Sequence, residues 1–159
     1  MATVKKNSMS INQYGGAIQA GNVTTYRAEL STNAAGGALN ANSTTALGIA
    51  DVVQLAVLPE GFVLEDSQVI VSTGFTAAVT GSLGFAYADG VDSTEVPQDA
   101  AYFGAGLVLS SAARLRNVVA KAPVKLPKEA YLTLTIAGAA NAKAARLDVI
   151  VHGERIGPK

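Results

Sequence analysis

Beyond residue 50, large apolar side chains recur at every second position, and no stretch shows the three-to-four spacing of an amphipathic helix. Val53, Leu55 and Val57 alternate with Gln54 and Ala56. Phe62 and Leu64 resume the beat after the turn Leu58-Pro59-Glu60-Gly61, and Val69 and Val71 continue it with Ile70 between them. Leu83, Phe85 and Tyr87 run into the turn signal Asp89-Gly90. Leu132, Leu134 and Ile136, then Leu147, Val149 and Val151, give the two clearest strands. Asp99-Ala100-Ala101-Tyr102-Phe103 reads as a single helical turn capped by Asp99 and stopped by Gly104 and Gly106, with a strand at Leu107 and Leu109. Val118-Val119 and a Pro-bounded piece around Val124 and Leu126 follow. Short strands spaced by roughly 8–12 residues are the pattern of an all-β fold, a jelly-roll-like β-sandwich. Leu58-Pro59-Glu60-Gly61-Phe62 and Leu126-Pro127-Lys128-Glu129-Ala130-Tyr131 repeat one corner motif before a strand, which fits a two-sheet design.

Residues 1–50 differ from this. Gly15-Gly16, Asn33-Ala34-Ala35-Gly36-Gly37 and the polar run from Asn40 to Thr45 make a low-complexity, extended N-terminal arm, with one alternating run from Val23 to Leu30 that reads as a strand. So few large apolar groups make no core alone, so the arm is expected to lie on another surface or stay mobile. The expected division is an arm at 1–50 and a β domain at 51–159. Of the 159 residues, 29 are Ala, so the 49% apolar content overstates the core. One domain with a thin core fits this length. Lys5 and Lys6 are followed by no apolar run of a secretory signal, and no stretch offers the ~18 apolar residues of a spanning helix. The expectation is a soluble protein, made in the cytoplasm, with no membrane partner.

Net charge is zero, yet the order of charges is uneven. Residues 31–113 hold eight acids and no Lys or Arg, whereas residues 114–159 hold nine bases against Glu129, Asp148 and Glu154. Either these charges mix when the chain folds, or the subunit is bipolar and meets neighbours through opposite faces. Nucleic acid is a poor partner: the bases are dispersed, lack interleaved aromatics and bring no overall positive charge.

Candidate chemistry is sparse. The absence of Cys removes thiol nucleophiles, disulfides and Cys-based zinc sites. His152 is the single imidazole, late in a strand, and no Gly-x-Ser-x-Gly elbow accompanies it. Asp89, Asp92 and Glu95 crowd one turn, a composition that can hold Ca²⁺, but the glycine directly after Asp89 departs from the calcium-loop spacing. Carboxylate pairs for glycoside cleavage exist by residue type, without the Trp platforms a sugar cleft uses. Gly15-Gly16 and Gly36-Gly37 lack the context of a phosphate loop. No catalytic, cofactor-binding or metal-ligating residue is assigned, and no cofactor is expected.

Several segments together point further. The polar arm leads into Asp51-Val52-Val53-Gln54-Leu55-Ala56-Val57-Leu58-Pro59-Glu60-Gly61-Phe62-Val63-Leu64-Glu65-Asp66, then Val69 to Thr73, Leu83-Gly84-Phe85-Ala86-Tyr87-Ala88-Asp89 and Asp99-Ala100-Ala101-Tyr102-Phe103. Over roughly residues 50–152 this order resembles the head decoration, or capsid cement, proteins of tailed bacteriophages. The resemblance implies a non-enzymatic virion structural protein, made in the host cytoplasm. Its jelly-roll-like domain docks on the outside of an icosahedral shell, as homodimers or homotrimers, and bridges neighbouring major capsid protein subunits. It carries over no catalytic residue. The arm and the basic C-terminal third are then expected to contact the shell or a sister copy. Two rivals remain. One is a carbohydrate-binding or adhesin-type sandwich using Tyr87, Tyr102 and Tyr131 as its exposed aromatics. The other is a small hydrolase built on His152.

Overall fold

A computed structural model of the chain describes residues 1–7, 22–117 and 119–156. Alternating side chains become ten strands: β1 (Thr3–Lys5), β2 (Asn22–Ser31), β3 (Val52–Leu58), β4 (Phe62–Thr73), β5 (Thr80–Tyr87), β6 (Asp99–Val108), β7 (Ala113–Arg116), β8 (Val124–Lys125), β9 (Ala130–Ala137) and β10 (Arg146–Arg155). They form two five-stranded sheets. Sheet I has the order β1-β3-β9-β5-β6; sheet II has β2-β10-β4-β7, with β8 also on β4. Without the short β1 and β8, the orders 3-9-5-6 and 2-10-4-7 are those of a jelly roll, in which the chain passes repeatedly from one sheet to the other. Among the described residues no helix forms, so none is long and apolar enough to cross a membrane.

The inward half of each alternation makes the core. In sheet I, Val53, Leu134 and Leu83 lie side by side, as do Ala56, Leu132 and Phe85. In sheet II the rungs are Leu30, Leu147 and Val71, then Ala28, Val149 and Val69. All of these are buried. Removing each large apolar side chain from water contributes about 1.5–3 kcal/mol, the main force pressing the sheets together.

The stretch read as an extended arm supplies strands to both sheets. β1 runs parallel to β3, and β2 pairs along its whole length with β10. The stretch makes no core of its own but shares that of the sandwich, through buried Val4, Tyr26, Leu30 and Leu47. Residues 8–21, which include Gly15-Gly16, lie outside the described residues, as does Val118. Between β2 and β3 the chain is held by Asn141, whose fully buried amide nitrogen lies 3.1 Å from Thr32 Oγ1, 3.2 Å from the Gly36 carbonyl and 2.9 Å from the Lys143 carbonyl. Its oxygen accepts from the Thr76 amide at 3.1 Å and lies 3.2 Å from Thr76 Oγ1. Gly36 is required there: its φ is +88°, and a Cβ would sit 2.1 Å from the Asn141 carbonyl oxygen.

Two sequence expectations change. The first is in β3, where a register shift between Gln54 and Ala56 buries Leu55 and Ala56 in succession and turns Val57 outward, away from the face of Val53. Residues 99–103 are not a helical turn but the start of β6. The pairing of β6 with β5 jumps from Gly104 opposite Leu83 to Asp99 opposite Phe85, so residues 100–103 bulge. Tyr102 and Phe103 thereby turn into the core, and Asp99 caps the bulge instead, its Oδ1 accepting the Ala101 amide at 2.8 Å. The two Leu-Pro corners, for their part, meet in space. The Gly61 amide donates to the Leu126 carbonyl and the Leu126 amide to the Phe62 carbonyl, both at 2.9 Å.

Candidate interaction surfaces

The outward half of each alternation decides what the molecule presents, and the two sheets differ. On sheet II the outer face is charged and internally matched. Arg27 reaches Asp148 at 2.8 Å; Arg146 reaches Glu29 at 3.1 Å and Asp148 at 3.7 Å. Arg116 pairs with Asp66 at 3.5 Å, Arg114 donates to Gln68 Oε1 at 2.6 Å, and Thr25 Oγ1 lies 3.1 Å from His152 Nδ1. Elsewhere Lys121 pairs with Asp99, and Lys128 with Asp89 at 2.6 Å. The uneven charge order is thus folded into pairs: Asp66, Asp89 and Asp99 of the acidic middle each meet a base from the C-terminal third. Exposed pairs of this kind contribute about 1 kcal/mol or less each, so they set surface character more than stability.

The residues singled out for chemistry are spoken for. Both Asp89 carboxylate oxygens accept from Lys128, which holds the carboxyl below its ordinary pKa, with help from the Val91 amide. Asp92 Oδ1 accepts the amides of Ser93 at 2.8 Å and Gln98 at 2.7 Å. Among the described residues no three His, Asp or Glu side chains converge as metal ligands. His152 stands half-buried in β10 beside the Thr25 hydroxyl.

The tyrosines left to the carbohydrate-binding rival do not form an exposed set. Tyr87 and Tyr102 are buried, packed edge-on against Phe85 at 5.8 and 5.6 Å between centroids. The Tyr87 hydroxyl donates to the Val96 carbonyl, and that of Tyr102 lies 2.9 Å from the Ala122 carbonyl and 3.1 Å from that of Leu64. A chain bulge, not the period-two pattern, decides the orientation of Tyr102. Beside it opens a cleft of about 420 Å³, lined by Phe85, Val96 and Val124 and bounded by the Lys121–Asp99 pair.

What the period-two reading passes over is the outer face of sheet I. On its middle strand β9, Tyr131, Thr133 and Thr135 point away from the core, Thr133 buried and the other two half-buried. Across the registers, β3 adds Val52, Gln54 and Val57, and β5 adds Thr80, Ser82 and Ala86. None of these is charged. At the rim stands Lys5 on β1, its ammonium 5.9 Å from the Tyr131 ring centroid. Three oxygens of this face, Gln54 Oε1, Thr133 Oγ1 and Thr135 Oγ1, are shielded from water and lack a hydrogen-bond partner. Comparing outward residues of the two sets of strands in the sequence would reveal the contrast, but only once each strand is assigned to its sheet.

No family model and no curated protein matches the chain. Two solved structures are similar to it. A chain in the capsid of Ralstonia phage GP4 superposes with a TM-score of 0.65 at 16% identity, covering 99% of this chain and 100% of that one. A chain in the acidic stable capsid structure of Helicobacter pylori bacteriophage KHP30 gives a TM-score of 0.45 at 13% identity, over 83% of this chain and 91% of that one.

Proposed function

We propose that the protein is a non-enzymatic structural component of a bacteriophage capsid, a cement protein that decorates the outside of the shell and bridges neighbouring major capsid protein subunits. The observation that carries this reading is the end-to-end likeness of fold to a chain in the capsid of Ralstonia phage GP4. Surface chemistry supports it. The imidazole, the acidic turn and two of the three tyrosines weighed for catalysis or ligand binding are engaged in holding the sandwich together. A stiff β-sandwich with broad, shallow faces suits a role in which a modest contact is repeated over a lattice, because linked contacts multiply into high avidity. The carbohydrate-binding alternative loses its platform with the burial of Tyr87 and Tyr102.

Quantitative mass spectrometry of purified virions should find the chain in fixed ratio to the major capsid protein, and cryo-electron microscopy should place it on the outer surface. Heads assembled without it should rupture at lower temperature than complete heads. Virions that lack the chain altogether would remove the proposal.

A further inference from the structure

We propose that the cleft beside the β6 bulge binds a segment of a partner protein that inserts one large apolar side chain and sets a basic residue at the mouth. The inference does not rest on the capsid reading. Residues 95–99 border the cleft on one side and residues 121–124 on the other. Its floor is the buried rings of Phe85 and Tyr102, and half-buried Val96 and Val124 add to the apolar lining. Pro97 and Ala122 are exposed, so the hollow opens to water. Its volume of about 420 Å³ lies within the roughly 300–1,000 Å³ of ligand sites.

Both walls are pinned to groups behind them. The Tyr87 hydroxyl donates to the Val96 carbonyl, and the Tyr102 hydroxyl lies 2.9 Å from the Ala122 carbonyl. Gln98 is held twice: its Oε1 accepts the Tyr87 amide at 3.3 Å, and its own amide donates to Asp92 Oδ1 at 2.7 Å. A hollow built in advance spares its occupant the cost of ordering the walls. These bonds also decide what fits. A small-molecule site keeps a few polar groups inside to orient its ligand, but here the tyrosine hydroxyls are spent on the walls. Charge stands at the border instead, as Glu95 and the Lys121–Asp99 pair, with Asp92 tied to Gln98. Three acids against one base favour a cation there. An apolar anchor inside and charge recognition outside is how a protein segment docks a single side chain, and the stem of a Lys or Arg beside the anchor covers the apolar rim.

Fluorescence tests this on the full chain, which contains no Trp, so an indole probe supplies the whole signal. The capped dipeptide N-acetyl-Trp-Arg-amide should shift its emission to the blue with a Kd of about 1 mM or tighter. Ala122→Phe, filling the cleft from an exposed position, should weaken binding at least about tenfold, the weight of an anchor lost from its pocket. Exchanging the peptide's Arg for Glu should weaken it about threefold, the scale of an exposed ion pair. If Ala122→Phe loses its near-ultraviolet dichroism, Pro97→Phe from the other wall takes its place. No saturable shift, a shift indifferent to the filling variant, or equal affinity for the two peptides each overturns the proposal. So does free indole bound as tightly as the Trp-Arg peptide, which would make the cleft a site for small apolar molecules.

Discussion

Asn141 shows how one side chain can set the course of a long connection. Its amide joins the segment after β2 to the turn before β10, with every polar atom satisfied in a site closed to water. Truncating it leaves the partners of both amide ends without replacement, and an unmet buried donor or acceptor costs about 1–3 kcal/mol. Asn141→Ala should therefore lower unfolding free energy by about 3 kcal/mol, read from the urea midpoint at unchanged slope; a loss below about 1 kcal/mol would show that the loops hold without it. Nothing in the pattern around Asn141 announces this, because an amide's burial depends on which loops arrive beside it. Gly36 carries a fainter signal. Its place in a Gly- and Ala-rich run suggests freedom, yet the structure uses the glycine for a positive φ and a close backbone approach.

At the scale of elements, β2 decides whether the sandwich exists. It covers one edge of β10 over ten residues and brings Tyr26 and Leu30 into the core. A chain beginning at Asp51 loses β1 and β2, strips Leu147 and Val149 of Leu30 and Ala28 on one side, and should show no cooperative thermal transition by near-ultraviolet circular dichroism. Retention of the full-length melting temperature would mean that β2 is an accessory strand. Period-two alternation finds β5, β9 and β10, whose inward and outward residues keep turn. It finds β3 but misassigns its second half, where a bulge between Gln54 and Ala56 turns Ala56 inward and Val57 outward. It misreads residues 99–103, where a bulge breaks the count and brings Tyr102 and Phe103 inward in succession. It undervalues β2, whose inward set of Thr24, Tyr26, Ala28 and Leu30 is light in large apolar groups and becomes a core strand through its partner. The uncharged face of sheet I is legible residue by residue but not as a surface, since β3, β9 and β5 come together only through the jelly-roll crossover.

For the molecule as a whole, the buried phenols set an upper limit in pH. Burial raises the pKa of Tyr26, Tyr87 and Tyr102 above the ordinary 10.0. A group whose folded pKa lies above its unfolded one supports the fold fully below the unfolded value and loses that support as pH rises through the folded one. Stability should therefore hold up to about pH 10 and fall beyond it. Phenolate absorbance should then rise together with loss of near-ultraviolet dichroism; a rise complete before any unfolding would contradict the burial of these rings. The position of β10 has a consequence in time. Among the described residues β10 stands latest in the sequence, yet it is an inner strand of its sheet, lying between β2 and β4. Neither neighbour can be bridged until residues 146–155 exist. A chain made at roughly 5–20 residues per second therefore keeps β2 and β4 unjoined until residues 146–155 are added, so the two sides of sheet II wait on a strand made late.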